Sequence, residues 1–232
     1  MKFPNPPSWP CSNQKMNRHT HPGLYIHVPF CGSKCVYCDF YSETRLSDVS
    51  AWLEALGQEM LLYRNLFSAF DTLYVGGGTP TVLGEDHLGR LFEMACRSFA
   101  FTDDPEITVE ANPNDITAEK LAALRECGVN RISLGVQSFD DHELSFLQRR
   151  HTSREAEQAL ELIGRSGIEN LGVDLIYGIP GQTPEGWLRT LEHAIAFSPA
   201  HISCYQLTVA GGTPLHEMQG RGAIRMPGED EG

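Results

Sequence analysis

The sequence predicts an α/β fold built on a parallel sheet, and three observations carry that prediction. Six short apolar runs alternate with five helical patterns along the chain. Polar or glycine-rich residues follow the apolar runs in unit after unit, where barrel-like α/β folds keep their working loops. The 232 residues, 41% of them apolar, suffice for one sizeable domain.

Residues 1–22 are rich in Pro, Asn and Ser, lack an apolar period and read as a flexible leader. Arg18 is the only arginine there, so the segment is not an Arg-rich targeting sequence. A domain is expected over 23–215, with strands at 24–28, 72–75, 106–110, 131–135, 170–175 and 201–208. Helices are expected at 49–66, 85–99, 118–127, 154–166 and 184–197. Ser153 and Thr183 stand at N-cap positions, and Pro184 suits a first helical residue. After Thr208 the glycines and prolines multiply, no sixth helix is evident, and 216–232 reads as an irregular tail. Such alternation implies right-handed crossovers, and fits a barrel, a partial barrel or a doubly wound sheet.

A formal charge of −12 disfavours nucleic acid and anionic membrane surfaces as main partners, although a local pocket can still hold a small anion. No stretch approaches the ~18 consecutive apolar residues of a membrane span, and no secretory leader opens the chain. A cytoplasmic protein that is not integral to a membrane is expected. Seven cysteines, an odd number, argue for a reducing compartment rather than a disulfide framework. Cys96, Cys127 and Cys204 lie in apolar periodic segments and read as core, and Cys11 as a free thiol of the leader.

Cys31, Cys35 and Cys38 stand four and three positions apart, directly after the first strand and Pro29. Three thiolates on one loop can hold three corners of a metal cluster and leave the fourth open to a small molecule. A structural zinc site wants four closed ligands, and ferredoxin clusters take four cysteines. A zinc site completed by His27, or three ordinary reduced cysteines, are the alternatives.

Downstream, Gly76-Gly77-Gly78-Thr79-Pro80 follows the second strand, where glycines let the backbone approach a ligand. Glu110 closes the third strand, and Gln137 after the fourth offers an amide that can both donate and accept. Arg149 offers a guanidinium suited to a carboxylate. Asp174 is an acid within an apolar strand, where a charge needs a partner or a function. Gln206 and Thr208 lie in the sixth strand. His27, which alternates onto the same face as Tyr25, fits either the barrel interior or a hydrogen-bonded core. His151 could open the helix that follows it, and Arg150 has no assigned role.

Cys-x3-Cys-x2-Cys in this setting resembles the radical SAM superfamily, in which S-adenosylmethionine (SAM) chelates the fourth iron of a [4Fe-4S] cluster. The wording Tyr25-x-His27-x-Pro29-Phe30-Cys31 and Cys35-x-Tyr37-Cys38-Asp39-Phe40 is similar to the branch of oxygen-independent coproporphyrinogen III oxidases and HemW-type heme chaperones. The resemblance runs from Leu24 to about Leu215 and favours a partial six-stranded barrel, (β/α)6 and TIM-like, here truncated after the sixth strand. It implies Cys31, Cys35 and Cys38 as cluster ligands, and a SAM pocket lined by Tyr25, Tyr37, Gly77, Gly78, Thr79, Glu110, Gln137, Arg149 and Asp174. Arg149 would meet the methionyl carboxylate, and Gln137 and Asp174 the ribose.

The oxidases carry a further cysteine two positions after the third ligand, where this chain has Phe40. That difference, with Tyr205-Gln206-Leu207-Thr208, is most similar to the HemW group. The resemblance therefore implies a heme chaperone with heme as cargo, an acceptor protein and an electron donor. Its alternative is oxidative decarboxylation of coproporphyrinogen III. Family members continue well past Gly232, and their heme-binding His-Asn…Tyr-Trp motif belongs to that later region. A fragment or truncated version is thus expected, with a compact natural form as the alternative. A poorly folded fragment exposing the edge of the last strand is a third reading.

Overall fold

A computed structural model of the chain describes residues 21–227. The expected leader, with Cys11, lies outside the described residues except for its last two positions, as do residues 228–232 of the expected tail. Six strands form one sheet: β1 (Gly23–Val28), β2 (Phe70–Gly77), β3 (Phe101–Ala111), β4 (Arg131–Gln137), β5 (Asn170–Tyr177) and β6 (His201–Gln206). Every neighbouring pair is parallel, and the strands lie in sequence order.

That order decides between the architectures left open by the sequence. A doubly wound sheet reverses its strand order at a switch point, and this sheet does not. Right-handed crossovers in a constant direction put every helix on one side of the sheet. The helices α1 (Val49–Tyr63), α2 (Glu85–Ser98), α3 (Ala118–Glu126) and α5 (Ser153–Ser166) accordingly pack each against the next. No pairing joins β6 to β1 among the described residues, so the sheet is a partial (β/α)6 barrel. The helix-side core runs through fully buried Leu53 of α1, Leu91 of α2, Leu124 of α3 and Ile163 of α5.

α6 (Pro184–Ala196) starts as expected, with the Thr183 hydroxyl accepting the Gly186 N–H and Pro184 first in the helix. The cap of α5 is Thr152, not Ser153. Its hydroxyl oxygen accepts the Glu155 N–H at 3.3 Å while the Glu155 carboxylate accepts the Thr152 N–H at 2.7 Å, a reciprocal capping box. Two short helices were not foreseen: α4 (Asp141–Phe146) and α7 (Pro214–Gly220). Six and seven residues are too few for an apolar period to show. α7 nonetheless has its cap in Thr213 and buries Leu215 against Leu147, Ile176, Ile179 and Leu207.

The core assignment holds for Cys127, half-buried and packed against the core, but needs correction for Cys96 and Cys204, which are exposed. Cys96 falls beside the buried stripe of α2 (Leu88, Leu91, Phe92, Ala95) rather than on it. Cys204 belongs to β6, a thinly covered edge strand. No helix among the described residues is long and apolar enough to cross a membrane.

The exit of β2 docks onto the exit of β1 chiefly through main chain. The Gly78 N–H donates to the Val28 carbonyl at 2.8 Å and the Thr79 N–H to the Phe30 carbonyl at 2.7 Å. A β-carbon on Gly78 would stand 2.5 Å from the Phe30 oxygen and 2.9 Å from that of Val28, so glycine is obligatory here.

Thr152→Ala is expected to lower the free energy of unfolding by about 1 kcal/mol, and Ser153→Ala by less, in urea titrations; the opposite ranking would return the cap to Ser153. In the same titrations Gly78→Ala should cost about 1–3 kcal/mol by overpacking. An unchanged midpoint would contradict the close docking of the two strand exits.

Candidate functional site

Alternation along the strands separates a helix-facing apolar side from a polar inner side. In β4, Ile132, Leu134 and Val136 are fully buried, whereas Ser133, Gly135 and Gln137 border an inner cavity of about 440 Å³. Asp174 and Ile176 of β5 border the same cavity, as do Glu110 and Ala111 of β3. TIM-type barrels usually fill this interior with branched apolar side chains. Here it is left open at the C-terminal ends of the strands.

The cysteine loop closes one wall. Cys31 is buried, its N–H donates to the Glu43 carbonyl at 2.9 Å, and its sulfur accepts the Thr79 hydroxyl at 3.6 Å. Val36 is buried, and its carbonyl accepts the Leu215 N–H at 3.0 Å, so α7 braces the loop from behind. Cys35 and Cys38 border the cavity beside Cys31. Burial pushes the Cys38 thiol up, so its thiolate calls for a cation.

These residues fit a cluster better than the zinc alternative. Both nitrogens of His27 have partners: Nε2–H donates to the Tyr41 carbonyl at 3.0 Å, which leaves Nδ1 to accept the Tyr25 hydroxyl at 3.2 Å. Three cysteines on one cavity wall, with His27 engaged elsewhere, suit a multi-iron group that keeps one iron open.

Opposite the loop, Arg149 donates from Nη2 to the Gly135 carbonyl at 2.9 Å, while Nη1 lies 3.4 Å from the Cys35 sulfur and 3.5 Å from the Tyr37 hydroxyl. Burial works against its charge, yet Tyr37 and Cys35 outweigh that and hold its pKa above the ordinary value. Its Nε is buried without a partner among the described residues. Arg149 also borders the cavity, where a cation suits an anionic ligand. Gln137 sits at a break in the β4–β5 register with φ of 69°, and Asp174 accepts the Ser133 hydroxyl at 2.8 Å.

Gly77, at φ of 113°, donates its N–H to Glu110 at 2.9 Å. The other oxygen of that carboxylate accepts the Tyr74 hydroxyl at 2.7 Å. Glu110 thus shapes the glycine turn as well as bordering the cavity. Tyr37, Gly77, Gly78 and Thr79 border it too. Tyr25 is the exception among the expected pocket residues: it lies on the inner face but lower, stacked on Tyr74 with ring centroids 5.9 Å apart.

Three supporting residues carry no clear signal in the sequence. Ser133 and Tyr74 were legible only as polar members of an otherwise apolar alternation. Arg150 spreads its guanidinium over Gly32 of the cysteine loop and pairs with Asp115 at 3.6 Å, which also accepts the Thr81 hydroxyl at 3.2 Å. Nothing in the local sequence marks that contact, which joins the loops after β1, β2 and β3.

The pattern of the radical SAM superfamily matches residues 25–194 of this chain. The heme chaperone HemW of Bacillus subtilis (strain 168) is 37% identical over 211 residues, which cover 89% of this chain and 56% of that protein. HemW of Mycobacterium tuberculosis (strain ATCC 25618 / H37Rv) is 39% identical over 215 residues, covering 90% and 55%. Among solved structures, the coproporphyrinogen III oxidase HemN of Escherichia coli, described as a radical SAM enzyme, superposes with a TM-score of 0.80 at 30% identity, covering 91% of this chain and 50% of that one. The chain spans about half the length of the curated relatives it matches. With three cysteines on the exit of β1, a glycine turn on the exit of β2 and a partial barrel between them, the chain belongs to the radical SAM superfamily.

Proposed function

We propose that this chain is the radical SAM part of a HemW-like heme chaperone. In this reading Cys31, Cys35 and Cys38 hold a [4Fe-4S] cluster, SAM occupies the adjacent cavity, and heme is cargo for an acceptor protein. A separate electron donor feeds the cluster. The observation that carries the reading is one cavity bordered by the three cysteines together with Arg149, Gln137, Asp174 and the glycine turn. Arg149 would bind the methionyl carboxylate, in keeping with its place on the cavity wall. Gln137 and Asp174 would take the ribose hydroxyls, and Gly77, Gly78 and Thr79 the methionyl backbone. Glu110 would act through the Gly77 N–H, and Tyr25 through Tyr74 behind it. A bound cluster supplies electrons to SAM; the protein orients and shields the pair. Six unpaired cysteines among the described residues suit a reducing, cytoplasmic setting.

The likeness to HemN supports oxidative decarboxylation of coproporphyrinogen as a second reading. Against it stands Phe40, 65% exposed at the cavity where the oxidases have a further cysteine. Two assays separate the readings, run on an anaerobically reconstituted form that extends through the later region to which the resemblance assigns the His-Asn…Tyr-Trp motif. The chaperone reading expects a saturable hemin difference spectrum and no protoporphyrinogen from coproporphyrinogen III, SAM and a reductant. Protoporphyrinogen formation would select the oxidase, and a flat hemin titration would count against heme as cargo.

A further inference from the structure

His151 is 2% exposed; it follows Arg149 by two positions, and its ring bonds the backbone next to Gln137, two residues that the proposed SAM pocket uses. Nε2 lies 2.9 Å from the Val136 carbonyl. A carbonyl only accepts, so Nε2 carries the proton and Nδ1 is bare; Nδ1 has no partner among the described residues. The same Val136 oxygen accepts the Ser138 N–H at 2.9 Å. These two bonds bracket Gln137, a non-glycine residue at φ of 69°, at the point where the β4–β5 register shifts. Such a conformation persists only where its surroundings enforce it.

On the other side His151 is tied to Arg149 through the chain, two positions back. Gln148 is also left-handed, at φ of 54°, and the Arg149 N–H is tied to the Leu144 carbonyl at 2.9 Å. Gln137 and Arg149 then converge, for a β-carbon on Gly135 would lie 2.9 Å from Gln137 Nε2 and 3.5 Å from Arg149 Nη2. One imidazole thus joins the two strained turns that carry these side chains. Burial, with Arg149 adding to it, holds the His151 pKa down to about 4, so the ring stays neutral near pH 7 and keeps this donor.

We propose that His151 is a positioning residue of the SAM pocket: its bond to the Val136 carbonyl fixes the bulge that presents Gln137 and registers it against Arg149. The proposal rests on the reading of this cavity as a SAM site. It differs from a plain core role in predicting that a donor at the Nε2 position, rather than bulk, sets SAM affinity.

The test is calorimetric titration of SAM into the anaerobically reconstituted full chain and three variants, with cluster content and thermal midpoint recorded for each. His151→Gln carries an amide to the Nε2 position, His151→Asn carries one only as far as Nδ1, and His151→Phe keeps the ring without the donor. Asn and Phe should weaken SAM about tenfold, the order expected for one positioned hydrogen bond, with cluster content unchanged. Gln should remain within about threefold of the parent, a loss smaller than one such bond. Should Phe fail to fold, the Gln and Asn pair decides alone. Parent-like affinity in Asn, or equal losses in Gln and Asn, would overturn the role of His151. A parent that takes up a cluster but no SAM would instead overturn the pocket reading beneath it.

Discussion

A guanidinium kept from water must be answered by its surroundings, and Arg149 sets that demand at the centre of this molecule. Its answers come from three directions: the Gly135 carbonyl of β4, the sulfur of Cys35 and the hydroxyl of Tyr37. Removing one such partner from a buried cation is costly. The cysteine loop and the fourth strand are therefore held at a fixed separation by one side chain. Arg150 repeats the device one residue on, reaching Gly32 and Asp115 on the other flank of the same loop.

The sheet supplies the frame on which this works. Parallel strands with all crossovers on one side devote one face to helices, and the buried leucines of α1, α2 and α3 cover it. The opposite face curves inward and has no helices to exclude water. Polar residues can occupy it where each finds a partner, as Ser133 does with Asp174, Tyr74 with Glu110 and Tyr25 with His27. The cavity is what remains above these pairs.

Much of this was legible in the sequence, since strands and long helices declare themselves through periods of two and 3.6. Strand order is different: it is a matter of which runs hydrogen-bond, and no local pattern encodes it. That is why a doubly wound sheet stayed open until β1 to β6 were seen in sequence order. α4 and α7 fell below the length at which periodicity speaks, and their caps, Asp140 and Thr213, emerge only in the structure. Ser153 lost the cap to Thr152 because only Thr152 has a glutamate three residues on. The cysteine spacing marked a loop that the fold places against Arg149, more than a hundred residues away in sequence. Tyr25 sits below the cavity because it is level with Tyr74, three residues before Gly77 at the exit of β2. His151 and Arg150 act across elements, through a carbonyl and through a glycine, and such contacts leave no trace in spacing.

The account stands on the three cysteines holding a cluster whose open iron faces the cavity. The most direct test is the EPR spectrum of the anaerobically reconstituted, dithionite-reduced chain, recorded with and without SAM. The account predicts a [4Fe-4S] signal that SAM alters and that Cys35→Ala abolishes. A signal indifferent to SAM, or none at all, would contradict it.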